Sequence, residues 1–119
     1  MEYKIEFDEI PPNLNKIIGM CKSSWFLYSK QKSYWKEIVR SKTHHIGKIT
    51  NPVDIEMTLT FPTSRRRDKD NYLACMKFIL DGLSCLVDDS SKYVKDVTLK
   101  DFRYEKGVTK CEIIIKEVT

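Results

Sequence analysis

The sequence predicts an α+β two-layer sandwich, a small mixed β-sheet with helices packed on one face. Three observations predict it. Val53, Ile55, Met57, Leu59 and Phe61 alternate without a miss against Asp54, Glu56, Thr58 and Thr60, the two-residue period of a half-buried strand. Two other stretches repeat their apolar residues at helical spacing. The elements also follow one another as strand, helix, strand, helix, strand, strand. No repeat and no linker divides the chain, so residues 1–119 read as one domain.

Tyr3 to Asp8 forms the first strand, with Tyr3, Ile5 and Phe7 on one face, and Pro11-Pro12-Asn13 breaks it. From Leu14 to Ser41 there is no proline and one glycine, Gly19; Ile18, Cys21, Trp25 and Tyr28, then Tyr34, Trp35 and Ile38, recur at helical spacing. This predicts one or two helices, with a break near Ser29 to Ser33. Thr43 to Pro52 is a connector, and the strand Val53 to Phe61 ends at Pro62. A helix is predicted from about Asn71 to Cys85, burying Leu73, Met76, Leu80 and Leu83. Asp70 or Asn71 would cap it by accepting from the orphan amides of its first turn. Val87 to Ser91 is a loop. Tyr93 to Tyr104 and Val108 to Val118 are predicted to pair as a hairpin through Glu105-Lys106-Gly107.

A chain of 119 residues, 41% hydrophobic and 32% charged, is long enough for a core and reads as globular rather than disordered. Its longest aliphatic runs, such as Ile113-Ile114-Ile115, are far too short to span a bilayer. The start, Met1-Glu2-Tyr3-Lys4, carries no apolar targeting segment. No membrane association and a cytoplasmic location are therefore expected. Cys21, Cys75, Cys85 and Cys111 form no CxxC pair, which fits reduced thiols rather than a zinc site. His44 and His45 read as part of a polar connector. The net charge of +4 is too modest to name a partner; the arrangement of charge says more.

The chemistry concentrates between a strand and a helix, where functional side chains are often presented. Arg65, Arg66 and Arg67 run directly into Asp68-Lys69-Asp70-Asn71, and a second acidic pair, Asp88-Asp89, lies beyond the same helix. Carboxylates bind hard divalent cations, and Mg²⁺ usually keeps several waters beside one or two of them. Such an ion activates water and stabilises phosphoryl charge, and adjacent arginines hold phosphates by forked hydrogen bonds. The bland reading is that the arginines form a solvated face and an aspartate caps the helix. A cap, however, needs only one Asp.

These residues carry a family resemblance. Arg66-Arg67-Asp68-Lys69-Asp70-Asn71, then Lys77-Phe78-Ile79-Leu80-Asp81-Gly82-Leu83, then Asp88-Asp89-Ser90-Ser91-Lys92-Tyr93 resembles the RusA family of Holliday-junction resolvases. That family's pattern is a basic stretch, DxDN, a helix with a lysine and an L-D-[AG]-L segment, then DD. The match covers about Phe61 to Tyr93, and the Pro-Pro-Asn after the first strand also fits.

The resemblance implies a homodimeric, Mg²⁺-dependent endodeoxyribonuclease, with Mn²⁺ as an alternative ion, acting in DNA recombination and repair. It would resolve four-way junctions by paired symmetric nicks, leaving a 5′-phosphate and a 3′-hydroxyl. Asp68, Asp70 and Asp89 would be the catalytic metal ligands, and Asn71 and Asp88 would support them. Arg65, Arg66, Arg67 and Lys69 would contact DNA, not all three arginines being required. The family often places its lysine four residues after the second Asp of DxDN. Here that position is Ala74, and Lys77 takes the role, electrostatic on a phosphate or the attacking water; its other reading is an ion pair with Asp81. Lys92 and Lys95 could extend the basic surface. Trp25, Tyr28, Tyr34 and Trp35 would form a buried or dimer face, or stack on unpaired bases. Small size and family together suggest a phage or prophage source. The alternatives are a nuclease on other branched DNA, a junction-binding module without catalysis, and a nucleotide phosphatase.

Overall fold

A computed structural model describes residues 2–84 and 93–118. Its elements are β1 (Glu2–Phe7), α1 (Leu14–Ser23), α2 (Trp25–Thr43), β2 (Val53–Phe61), α3 (Lys69–Leu73), α4 (Cys75–Leu83), β3 (Val94–Tyr104) and β4 (Lys110–Glu117). The sheet runs β1-β4-β2-β3, with β2 and β3 parallel and the other pairs antiparallel. This is the expected α+β arrangement with a mixed sheet. The loop expected at Val87 to Ser91, with Asp88 and Asp89, lies outside the described residues.

β2 takes the bounds that the alternation predicts, but the half-buried pattern holds only in its first half: Asp54 and Glu56 are half-buried, whereas Thr58 and Thr60 are buried. Val53, Ile55, Met57, Leu59 and Phe61 are buried, and β2 has a partner on each side. Ile5, Phe7, Leu99, Cys111, Ile113 and Ile115 join them in the core. The helical layer contributes Trp35, Val39, Phe78, Ile79 and Leu83, each at most 2% exposed. Complete burial of each such side chain is worth about 1.5–3 kcal/mol. On the opposite sheet face, Lys116 Nζ donates to Glu56 Oε1 at 3.1 Å, and Lys100 lies 3.6 Å from Glu56 Oε2. The Lys116 bond holds the Glu56 carboxyl below the usual range.

The structure corrects three expectations. First, Tyr93 to Tyr104 and Val108 to Val118 do not pair as a hairpin. The chain does reverse at Glu105-Lys106-Gly107, and Gly107 adopts φ 74°, a value that favours glycine. But β2 lies between β3 and β4. The loop crosses the end of β2, where Glu105 N donates to Phe61 O and Gly107 N to Pro62 O. The physical reason is burial: the most apolar strand takes an inner position, so the reversal must straddle it.

Second, the long helical segment breaks at Ser24, not near Ser29 to Ser33. Ser24 is extended, its N–H donates to Met20 O, and its Oγ accepts from Phe26 N. One serine thus ends α1 and caps α2. Third, the helix predicted over 71–85 is two pieces, α3 and α4, separated at Ala74. Its buried face is Cys75, Met76, Phe78, Ile79, Gly82 and Leu83; Leu73 is 46% exposed.

The predicted aromatic set divides. Tyr28 and Trp35 are buried, and Trp35 meets Phe7 edge-on at 5.7 Å. Trp25 and Tyr34 are exposed. The Tyr34 hydroxyl donates to the Glu9 carboxylate, which raises the Tyr34 pKa and ties α2 to the turn after β1.

Candidate metal and phosphate site

β2 and β3 are parallel, and a parallel pair requires a crossover connection. Here the crossover begins at the carboxyl end of β2, where open α/β sheets commonly bind ligands. Residues 62–68 leave that end, and α3 starts at Lys69. The arginine run and both aspartates of Asp68-Lys69-Asp70 therefore follow directly from the carboxyl end of an inner strand.

Arg67 holds this loop in shape. Its Nη1 donates to Thr63 O at 2.9 Å and Arg65 O at 3.0 Å, and its Nη2 donates to Thr63 Oγ1 at 2.9 Å. Its guanidinium stacks 3.8 Å from the Phe61 ring centroid. Phe61, Tyr72 and Phe102 form a mutual edge-on cluster beneath, with centroids 5.1–5.5 Å apart. A planar fork stacked on an aromatic face is something arginine provides and lysine does not. Arg65 and Arg66 are exposed, and among the described residues neither side chain has a partner. The run thus contains one structural arginine and two that project outward. Charge counting misses this division; the aromatic residue six positions earlier, Phe61, is its only sequence cue.

Both Arg67→Ala and Arg67→Lys are expected to lower stability by about 1–2 kcal/mol, because each breaks the forked bonds and the stack. Arg65→Ala is expected to stay within about 0.5 kcal/mol. Thermal unfolding of the three variants checks this; an Arg67→Lys protein as stable as the parent would refute the stapling role.

Asp68 occupies the N-cap position of α3, with extended backbone (φ −85°, ψ 125°), yet its side chain makes no cap hydrogen bond. Asp70 lies in the first turn, exposed. Neither carboxylate has a hydrogen-bond or ion-pair partner among the described residues. The capping explanation for these aspartates is therefore not what is observed. Asp68, Lys69, Asp70 and Asn71 line one open cavity of about 340 Å³ with Leu14 and Asn15.

Asn71 does cap a helix, but not its own. Its Oδ1 accepts from Asn15 N at 3.0 Å, while Asn13 Oδ1 accepts from Lys16 N at 3.0 Å. Two first-turn amides of α1 are thereby satisfied by side chains. The Pro-Pro-Asn segment and the DxDN segment meet at this point, and Asn71 fixes α1 as one wall of the aspartate cavity.

Lys77 is exposed on α4 and does not line that cavity. Ala74, between α3 and α4, is itself αR (φ −62°, ψ −23°), and Lys77 N donates to Ala74 O at 3.3 Å. The alternative pair with Asp81 does not form, since no ion pair joins them. Asp88 and Asp89, and Lys92, fall outside the described residues, and no group of three metal-capable side chains occurs among the described ones. The donors present are two exposed carboxylates without partners, which suits a hard cation that retains water. The two buried thiols, Cys75 and Cys111, take no part. Burial pushes Cys75 up to about 12 and raises Cys111 further, so both stay protonated and inert at neutral pH. Cys75 instead donates to Pro11 O at 3.1 Å.

No model of a known protein family matches this chain, and no curated protein matches its sequence.

Proposed function

We propose that the protein is a Mg²⁺-dependent structure-specific endodeoxyribonuclease of RusA type that resolves four-way DNA junctions. The observation that carries the reading is the Asp68–Asp70 cavity: two carboxylates not spent on capping, bordered by Lys69 and preceded in the chain by Arg65 and Arg66. Asp68 and Asp70 would hold the metal, with Asp89 as the third ligand and Asp88 behind it. When bound, that ion would supply Lewis-acid stabilisation of phosphoryl charge and a more acidic water. Arg65, Arg66 and Lys69 hold backbone phosphates against the cavity. Arg67 contributes indirectly by fixing the loop that presents them. Asn71 keeps the α1 wall in place, and Lys77 attracts DNA electrostatically from one helix further on. A homodimer would match the two equivalent strands of a junction with two such sites. Binding alone gives no use to two free carboxylates beside anionic phosphate.

No helix among the described residues is long and apolar enough to cross a membrane; a cytoplasmic location, with its thiols reduced, belongs to this proposal.

The test is a labelled four-way junction and a linear duplex of the same arms, incubated with the protein in Mg²⁺, Mn²⁺ or EDTA. Paired, metal-dependent nicks in the junction alone are expected. Equal cutting of flaps or forks would shift the substrate to branched DNA generally. Tight junction binding without cleavage in either metal would leave a binding module.

A further inference from the structure

The chain's excess positive charge is not spread over its surface. α2 carries five basic residues, Lys30, Lys32, Lys36, Arg40 and Lys42, against one acid, Glu37. Its net of +4 equals that of the whole chain. The remaining residues balance at sixteen of each sign, arginine run included.

Within α2 the charge is ordered. Lys32, Lys36 and Arg40 follow at four-residue intervals, so they stack on one helix flank, about 6 Å apart and about 12 Å end to end. All three are exposed. Like charges at this spacing repel one another, and the one acid of the helix, Glu37, adjoins only the Arg40 end of the row. Neither lysine has an ion-pair partner among the described residues; Lys32 instead rests 5.6 Å from the Tyr28 ring centroid. The flank borders a second open cavity of about 380 Å³, lined by Lys32, Ser33, Lys36, Asp81 and Ser84. Ser33 adds a hydroxyl beside the ammonium groups, Ser84 Oγ already donates to Asp81 O at 2.8 Å, and Asp81 is the one acid of the lining. Asp81 and Ser84 belong to the end of α4, next in sequence to 85–92.

We propose that the Lys32–Lys36–Arg40 flank of α2 is a second nucleic-acid surface, which takes the phosphate backbone of duplex DNA independently of the arginine loop. A straight row of about 12 Å matches the axial rise of about three nucleotides of one strand, and it fits a rigid, regularly charged polyanion. An isolated anion would use only one or two of these groups. The inference rests on the nuclease reading for the choice of DNA, but its test needs no cleavage.

Binding of a labelled linear duplex and a labelled four-way junction is measured in EDTA by fluorescence anisotropy across a salt series. Parent, Lys32→Gln/Lys36→Gln and Arg65→Gln/Arg66→Gln proteins are compared, with circular dichroism to confirm folding. Each lost phosphate contact reduces the slope of log K against log salt by about 0.9, so the lysine variant should be shallower by about 2. At 0.15 M salt it should bind several-fold to tenfold more weakly. An unchanged slope overturns the proposal, as does a parent that binds no duplex. Polyglutamate displacing the duplex at equal charge concentration would make the flank a site for acidic protein and overturn it too. Junction cleavage is scored separately, so loss of the nuclease reading and loss of this surface are distinguishable.

Discussion

Gly82→Ala is expected to destabilise the protein by about 1–3 kcal/mol, the ordinary cost of overpacking a core. The sign runs against helix propensity, which favours alanine over glycine by about 1 kcal/mol inside a helix. Packing wins because α4 crosses α2 at this glycine. A β-carbon on Gly82 would sit 2.5 Å from Val39 Cβ and 2.9 Å from both Val39 methyls. Val39 is fully buried, its Cβ is fixed to the α2 backbone, and no rotamer moves it away. The Leu80-Asp81-Gly82-Leu83 segment, read from sequence as part of a functional block, is therefore also a helix-crossing device. It sets how close α2 and α4 come, and hence where Lys32 and Lys36 lie against Asp81 and Ser84. The check is a double-mutant cycle by denaturant unfolding. In a Val39→Gly background the same Gly82→Ala change should become stabilising by about 1 kcal/mol, because only propensity remains. Destabilisation of equal size in both backgrounds would show that the Val39 contact is not the cause.

How much of this could be read in the chain depends on the range of the signal. The β2 pattern is local and two-faced, so it fixed that strand to the residue. Pro11-Pro12-Asn13 is legible as the end of the first strand, while the cap that Asn13 gives α1 is seen only in the structure. The Ser24 cap is equally local but carries no distinct signal, because Ser23-Ser24 lies within a continuing apolar period and a cap looks like any polar residue there. The false hairpin has a different origin. Glu105-Lys106-Gly107 announces a reversal, but nothing within the turn tells which strand fills the space beneath it; that depends on the competition among strands for the inner positions of the sheet. The site shows the same division. Asp68 and Asp70 are legible as candidates, since residue type suffices for that. That Arg67 is a staple, Asn71 a cap for a distant helix, and Lys77 outside the lining of the aspartate cavity all depend on geometry that spacing does not encode.

Asp70→Asn and Asp68→Asn should each lower junction cleavage by about 10³-fold or more while shifting stability by less than about 0.5 kcal/mol. The stability half follows from what these carboxylates do in the folded protein. Asp68 makes no cap bond, both side chains are exposed, and neither has a partner among the described residues; exposed changes away from caps and networks are usually near neutral. The rate half follows from what a ligand pair supports. Metal stabilisation of a phosphoryl transition state is worth several kcal/mol, and each 1.36 kcal/mol is tenfold in rate. Asparagine keeps the shape but removes the charge that attracts a hard cation. Two readouts separate this from a folding defect. Mg²⁺ should raise the melting temperature of the parent, as any ligand of the native state does, and should not raise that of Asp70→Asn. Asp101→Asn, on the opposite sheet face where Asp101 meets Arg103 at 3.5 Å, should cleave as the parent does. An Asp70→Asn protein that retains its rate, or that loses rate and melting temperature together, would place the aspartates in the architecture rather than the chemistry. Asp89→Asn completes the set: a loss as large as that at Asp70 is expected if the acidic pair beyond α4 supplies the third ligand.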